Sequence, residues 1–209
     1  MASVIRSLCP SSMSPRSTHP RRPLWHALSL ALALLLAAPA RASLAYDLDV
    51  AALTAQAGLV ARAKVVSRRS YWSQDGRRIV TESVLGVRGI LKGQERSAEL
   101  RVVQPGGAVD GVAQQVSGAA IFEPGEEVLV FLERADPARP YVVVGMALGK
   151  YRVGVSRESG RLVAFRDGLE DVALLSPDGQ PLAASAAGAG VPYSELVRQV
   201  EATVRAETR

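Results

Sequence analysis

Short runs of apolar and β-branched residues separated by turn-forming residues recur over 59–165, the signature of successive strands. Residues 59–66, LVARAKVV, interleave apolar and basic side chains, and residues 77–91 return as a long strand interrupted by Gly86 and Gly89, where bulges or sharp bends are expected. Ser73-Gln74-Asp75-Gly76 supplies the turn between them, with Asp-Gly as the hairpin signal. Residues 98–103 predict a third strand and residues 127–133, EVLVFLE, a fourth and very apolar one. Residues 141–146, 150–155 and 161–165 complete a set of about seven, the last two joined around Glu158-Ser159-Gly160.

Helical spacing occurs only towards the two ends of this region. Residues 47–57 predict a short helix with Asp47 or Asp49 as N-cap, where a carboxylate meets unpaired backbone N–H groups and the positive end of the dipole. Residues 191–206 place Leu196, Val197, Val200 and Val204 on one face, expected to pack on the strands. Regular strand spacing with turn chemistry between strands favours a closed or partly closed antiparallel barrel over alternating βαβ units. The 105–120 segment, PGGAVDGVAQQVSGAA, is long for a hairpin and rich in glycine, as functional loops often are. Residues 176–190 are Ala/Gly-rich and read as a flexible tether to a C-terminal amphipathic helix over 191–209.

Ahead of all this stands an uncharged run, LWHALSLALALLLAA over residues 24–38, about fifteen residues long. That suits the apolar centre of a secretory signal peptide and falls short of the roughly 20 residues a bilayer span needs. Arg16, Arg21 and Arg22 precede it, and Ala40-Arg41-Ala42 follows as a small-x-small cleavage pattern. Cleavage after Ala42 is expected, with Ala40 as the competitor, and Met13 would give a more usual start than Met1. The organisation is therefore a cleaved signal peptide over 1–42, a β-barrel domain over 43–175, the tether and the final helix. The working protein is expected to be exported, periplasmic or extracellular, without a stable membrane anchor.

Losing the leader changes the chemistry. The net charge of +5 resides in Arg6, Arg16, Arg21, Arg22 and Arg41, because residues 1–42 hold no acidic side chain and the remainder has 20 basic and 20 acidic ones. A basic pI that would suggest nucleic acid belongs to the segment removed, so no nucleic-acid partner is expected. The only cysteine, Cys9, and both histidines, His19 and His26, leave with it. No disulfide, no Cys or His metal site and no imidazole-dependent nucleophile is then possible. No motif for phosphate, calcium or Ser-Lys chemistry occurs, so no catalytic residue, metal or other cofactor is assigned. Carboxylate-dependent hydrolysis remains open through Glu123, Glu126, Glu127 or Asp110, and requires these to converge in one cleft. A purely structural envelope component is the other alternative, and requires no pocket.

The first hairpin is the surface constellation with the most character. Arg68, Arg69, Tyr71 and Trp72 face Arg77 and Arg78 across the Asp75-Gly76 turn, and arginine with aromatic side chains is the composition of binding hot spots. Tyr71, Trp72, Arg77 and Arg78 are the candidate binding residues. A solvated hairpin with charges protecting its edges is the plainer reading.

The ordered series helix, LVARAKVV, a long strand ending in Gly89-Ile90-Leu91-Lys92-Gly93, a strand, a glycine-rich loop and then FEPGEEVLVFL over 122–132 resembles the netrin-module and metalloproteinase-inhibitor type of OB barrel. It is also similar to exported bacterial proteins carrying F-x-x-G-E-E-V-L-V-F-L followed by V-V-G-x-A-x-G-K-[YF]-R-V, here residues 143–153. The resemblance covers roughly residues 47–155 and implies an OB-like, partly closed barrel with Phe122, Gly125, Glu126, Phe131, Gly145 and Gly149 as signature residues. Phe122, Val128, Val130 and Leu132 are expected inside the barrel, Pro124-Gly125 in the turn before a strand, and Gly145 and Gly149 where backbone approaches closely. The inhibitors reach a catalytic metal through an N-terminal cysteine, which this chain lacks after cleavage, so the resemblance implies a fold and not that activity. Together these features predict an exported, non-enzymatic binding or accessory domain that recognises an exported protein partner.

Overall fold

A computed structural model describes residues 43–169, 172–176, 178–182 and 190–209. The expected leader, including Ala40 and Ala42, lies outside the described residues, as do positions 177 and 183–189 of the tether.

The described chain is mostly β with antiparallel sheets and a helix near each end. Strand β1 (Ser43–Tyr46) leads into α1 (Val50–Gln56), where Asp49 caps the helix by accepting from the Ala52 N–H at 2.7 Å. Then come β2 (Leu59–Trp72), β3 (Ile79–Lys92), β4 (Glu99–Pro105) and the small hairpin β5 (Gly107–Val109) and β6 (Val112–Gln114). Next are β7 (Glu127–Glu133), β8 (Val142–Val143), a 3-10 turn (Met146–Gly149), β9 (Lys150–Val155) and β10 (Leu162–Phe165). The chain closes with β11 (Val172–Leu175), β12 (Val191–Pro192) and α2 (Tyr193–Glu207). The main sheet runs β12-β10-β9-β7-β2-β3-β4, with β8 on β7, while β1 pairs in parallel with β11.

One expectation needs correction: the described residues form twelve strands where about seven were expected, the additions being short pieces of two to four residues too brief to show periodicity. Of the closed or partly closed barrel expected, no fully closed ladder is found among the described residues, and the main sheet is an open path. Its β4 edge reaches the far side only through a parallel bridge, Val102 to Tyr141, held by Val103 N–H to Tyr141 O and Tyr141 N–H to Arg101 O, both 2.8 Å. Immediately after Tyr141, β8 pairs with β7. The strand expected over 141–146 is cut to these two residues, because Gly145 and Met146 take left-handed backbone angles and turn the chain into the 3-10 segment.

The apolar run of β7 is explained by cover on both faces. Val128, Val130 and Leu132 join Leu85, Leu100, Val102 and Phe122 in one cluster, as expected. Leu129 and Phe131 point the other way, into a second cluster with Leu53, Leu148, Leu196 and Val200, which seats both helices. Phe131 is therefore a contact of the helical layer. Close approaches account for the signature glycines: a Cβ on Gly149 would strike the Val144 carbonyl oxygen, and one on Gly145 would lie 2.9 Å from Leu48 Cδ1. Gly125, at φ 94°, makes the turn into β7 and donates to Val65 O at 2.8 Å.

A bulge at Val66 divides β2 into two stretches of opposite phase. Val65 pairs with Leu85 and Ser67 with Val84, so Val66 has no opposite number. The extra residue shifts the phase of the strand by one, and Arg68, Ser70 and Trp72 take the face that Ala61, Ala63 and Val65 hold earlier. Gly86, paired with Lys64, leaves space for this: a Cβ there would sit 3.4 Å from Val66 Cγ2.

Candidate binding cavity

Beyond the bulge the inner surface of β2, β3 and β4 stops being apolar. The positions that continue the buried phase are Ser70 on β2, Thr81 and Ser83 on β3, and Gln104 on β4, with Thr81 paired to both Ser70 and Gln104 across the ladder. They floor a cavity of about 400 Å³. The glycine-rich segment forms its roof through Gly106, Gly107, Gln114 and Val116, and Ala119, Ala120, Ile121 and Phe122 form the far wall.

The roof is fixed by local hydrogen bonds. Gly106 N–H donates to Ile79 O and the Ile79 N–H donates to Gln114 Oε1, each at 2.8 Å. Thr81 Oγ1 donates to Gly106 O at 2.7 Å, which commits its single proton, so the 2.8 Å contact with Ser70 has Ser70 as donor. Gly107, at φ 137°, lies so close that a Cβ would collide with both the Ser70 and Thr81 hydroxyls, which explains the Gly-Gly pair at this point.

Gln104 is the unusual member of the floor. It is 5% exposed, and its amide Nε2 is buried with no hydrogen-bond partner. Two other buried side-chain atoms among the described residues lack hydrogen bonds, Arg62 Nε and Glu127 Oε2, but these face each other as an ion pair at 3.5 Å. An unsatisfied buried donor costs about 1–3 kcal/mol. Gln104 bears that cost against a cavity wall, where a ligand could relieve it.

The cavity is electrically quiet. Its one charged lining residue, Arg68, pairs with Glu123 Oε1 at 2.5 Å and also reaches Phe122 O at 3.5 Å. Lys150 stands behind the far wall, 2% exposed, with its Nζ 5.4 Å from the Phe122 ring centroid. It donates to Ile121 O and lies 3.1 Å from Glu126 Oε2 and 3.2 Å from Asp167 Oδ1. The signature residue Glu126 is thus half of a largely buried ion pair, and it also accepts from the Glu123 N–H at 3.0 Å.

Three of the four carboxylates considered for hydrolysis are engaged in separate ion pairs. Glu123 pairs with Arg68, Glu126 with Lys150 and Glu127 with Arg62, while Asp110 is exposed at the tip of the β5–β6 turn with φ 50°. None of them lines the cavity. Among the described residues no three His, Cys, Asp or Glu side chains are placed to hold a metal ion, and no helix is long and apolar enough to cross a membrane.

The hairpin residues do not form one cluster. Tyr71 and Trp72 point to opposite faces of β2, as successive strand residues do. Tyr71 lies on the outer face, with the Arg69 guanidinium 5.6 Å from its ring centre. Trp72 is on the cavity face, two residues past Ser70 and 40% exposed. Arg77 and Arg78 are exposed in the turn, where Asp75 accepts from Ser73 Oγ at 2.6 Å and from the Arg77 N–H at 3.2 Å. The Ser73 hydroxyl and then the Arg77 N–H hold the Asp75 carboxyl below its ordinary pKa.

The cavity floor carries no motif that sequence reading singles out. Its one signal is that Thr81, Ser83 and Gln104 are polar at positions in phase with Leu85, Leu100 and Val102. No protein-family model, curated protein or solved structure matches the chain.

Proposed function

We propose that this chain is an exported, non-enzymatic binding domain of OB-like build, whose site is the cavity beneath the glycine-rich loop with the β2–β3 hairpin standing beyond it. The observation that carries the reading is Gln104, a buried donor left unpaired on the wall of a 400 Å³ cavity. A buried unpaired donor calls for an explanation, and its place on a cavity wall favours a ligand that supplies the acceptor.

The OB-like part of the reading is supported by the circuit β7-β2-β3-β4, the Val102–Tyr141 bridge and β8 back to β7. The netrin-like resemblance makes the same strand order attractive, since in OB folds the loop joining the first two strands borders the binding face. Export is supported by the leader-like run over 24–38, and the absence of imidazole and thiol beyond residue 42 favours binding over catalysis. Separate ion pairing of Glu123, Glu126 and Glu127 argues against a hydrolase, and the cavity itself argues against a purely structural component. The partner is an exported protein or its attached groups, met in the envelope or outside the cell.

Affinity capture from the exported fraction tests this. One dominant, saturable partner is expected, with retention lost when Trp72, Arg77 and Arg78 are changed to Ala together with Gln104→Leu, and kept when the outward-facing Tyr71 alone is changed. Sequencing of the exported product is expected to begin at residue 41 or 43. Retention of no saturable partner, or equal retention by the multiple variant, removes the reading.

A further inference from the structure

We infer that the cavity takes a single neutral saccharide unit, an inference that rests on the reading of the cavity as the binding site. Charge selects the ligand class first. Arg68 is committed to Glu123, and no carboxylate or lysine lines the space, so a charged ligand would lose its hydration without gaining a counter-ion.

Hydrogen-bonding capacity narrows the class further. Gln104 Nε2 needs an acceptor. Ser70 spends its proton on Thr81 and keeps lone pairs that need a donor, and Ser83 offers a hydroxyl that can do either. A ligand that both donates and accepts over a small area satisfies this floor, which is what a ring of hydroxyls does; a purely apolar ligand leaves Gln104 unpaired.

The surface across from the floor is largely apolar, with Val116 from the roof and Ile121 and Phe122 from the far wall. Such a two-sided cavity suits a ring with a hydroxyl edge and a C–H face. At about 400 Å³ the volume lies at the lower end of the range for small-molecule sites, enough for one compact unit and not for a polymer threaded through.

The test is calorimetric titration of the purified protein with glucose, galactose and N-acetylglucosamine, against glucuronate and glucosamine as charged counterparts and a set of neutral aromatic and amide fragments without hydroxyl rings. At least one neutral sugar is expected to bind saturably, with its charged counterpart weaker by about tenfold or more. Gln104→Leu is expected to reduce that binding by about tenfold or more while raising the melting temperature, which shows that the variant is folded; Ser83→Ala serves as a second, milder probe.

Sugar binding unchanged in Gln104→Leu overturns the location, and equal binding of charged sugars overturns the class. Fragments that bind in a Gln104-dependent way while no sugar does overturn the saccharide and leave the binding site standing. If nothing in either set binds, the saccharide inference falls, while affinity capture still decides the reading of a protein partner.

Discussion

The inner surface of β2, β3 and β4 has two ends, made by the same strands, in one phase along β3 and β4 and in a phase shifted by one past Val66 on β2, and they are chemically unlike. At one end Ala61, Val65, Leu85, Leu100 and Val102 close against Phe122 and β7, with no exposure above a few per cent. At the other, Ser70, Thr81, Ser83 and Gln104 occupy equivalent positions and leave a cavity. Burying a side chain such as Leu85 contributes about 1.5–3 kcal/mol, whereas an unpaired buried amide costs about 1–3 kcal/mol. The apolar end therefore stabilises the domain, and the polar end is maintained against stability, which is the usual mark of a site. The bulge at Val66 lies at the junction, and it is the device that brings Arg68 and Ser70 into the inward phase.

Substitutions can break that contrast from either side. The largest effect is expected at Lys150, which holds the cavity's far wall to Glu126 and Asp167 from a nearly fully buried position. Lys150→Ala leaves the largely buried Glu126 without its cation and takes one of two cations from Asp167, which keeps Arg152 at 3.1 Å, and should cost about 3–4 kcal/mol, read as a lower midpoint in urea unfolding. A loss under about 1 kcal/mol would show that the wall does not depend on this pair. Leu85→Ala, at the apolar end, should cost about 3 kcal/mol by the same measurement through lost burial and a residual void. Gly107→Ala should cost about 2 kcal/mol, because its Cβ meets the Ser70 and Thr81 hydroxyls and its backbone angle suits glycine alone. Gln104→Leu should change the sign, raising stability by about 1 kcal/mol as the unpaired amide disappears. Destabilisation there would mean that Gln104 is satisfied in solution and that the two ends are alike.

Much of the scaffold is legible in the sequence because its boundaries carry local chemistry. The bounds of β7 follow from Pro124-Gly125 before it and the change to polar residues after Glu133, and β9 begins where Gly149 ends the 3-10 turn. Asp49 announces α1 by its capping oxygen. The site is less legible for a geometric reason. One unpaired residue, Val66, exchanges the faces of everything after it in β2, and Tyr71 and Trp72, which read as one surface because they are adjacent in sequence, lie on opposite ones. Lys150 gives no warning either, since a lone lysine at the start of a strand reads as solvated until Glu126 and Asp167 arrive from elsewhere in the chain. Phe131 sits in a run where nearly every residue is buried, and periodicity is silent about which face each one serves.

The smallest expected effect concerns the seam that joins β4 to β8. Tyr141 is buried there, donates from its hydroxyl to Glu95 Oε2 at 2.8 Å, and carries the Arg134 guanidinium 4.4 Å from its ring centre. Burial first, and then the hydrogen bond to the Glu95 carboxylate, pushes its pKa up from 10.0 to about 12, with Arg134 opposing. The folded state thus favours the neutral phenol. Its contribution is fully present below the unfolded value near pH 10 and is lost as the pH rises through the folded value near 12. Tyr151 and Tyr193 are also raised by burial, so the informative quantity is the difference between wild type and Tyr141→Phe, not the alkaline decline itself. The wild-type melting temperature should fall faster than the variant's across that interval, while the two curves run parallel below it. Parallel curves throughout would mean that the phenol is as free in the folded chain as in the unfolded one, and the seam would then rest on the backbone bridge at Val102 alone.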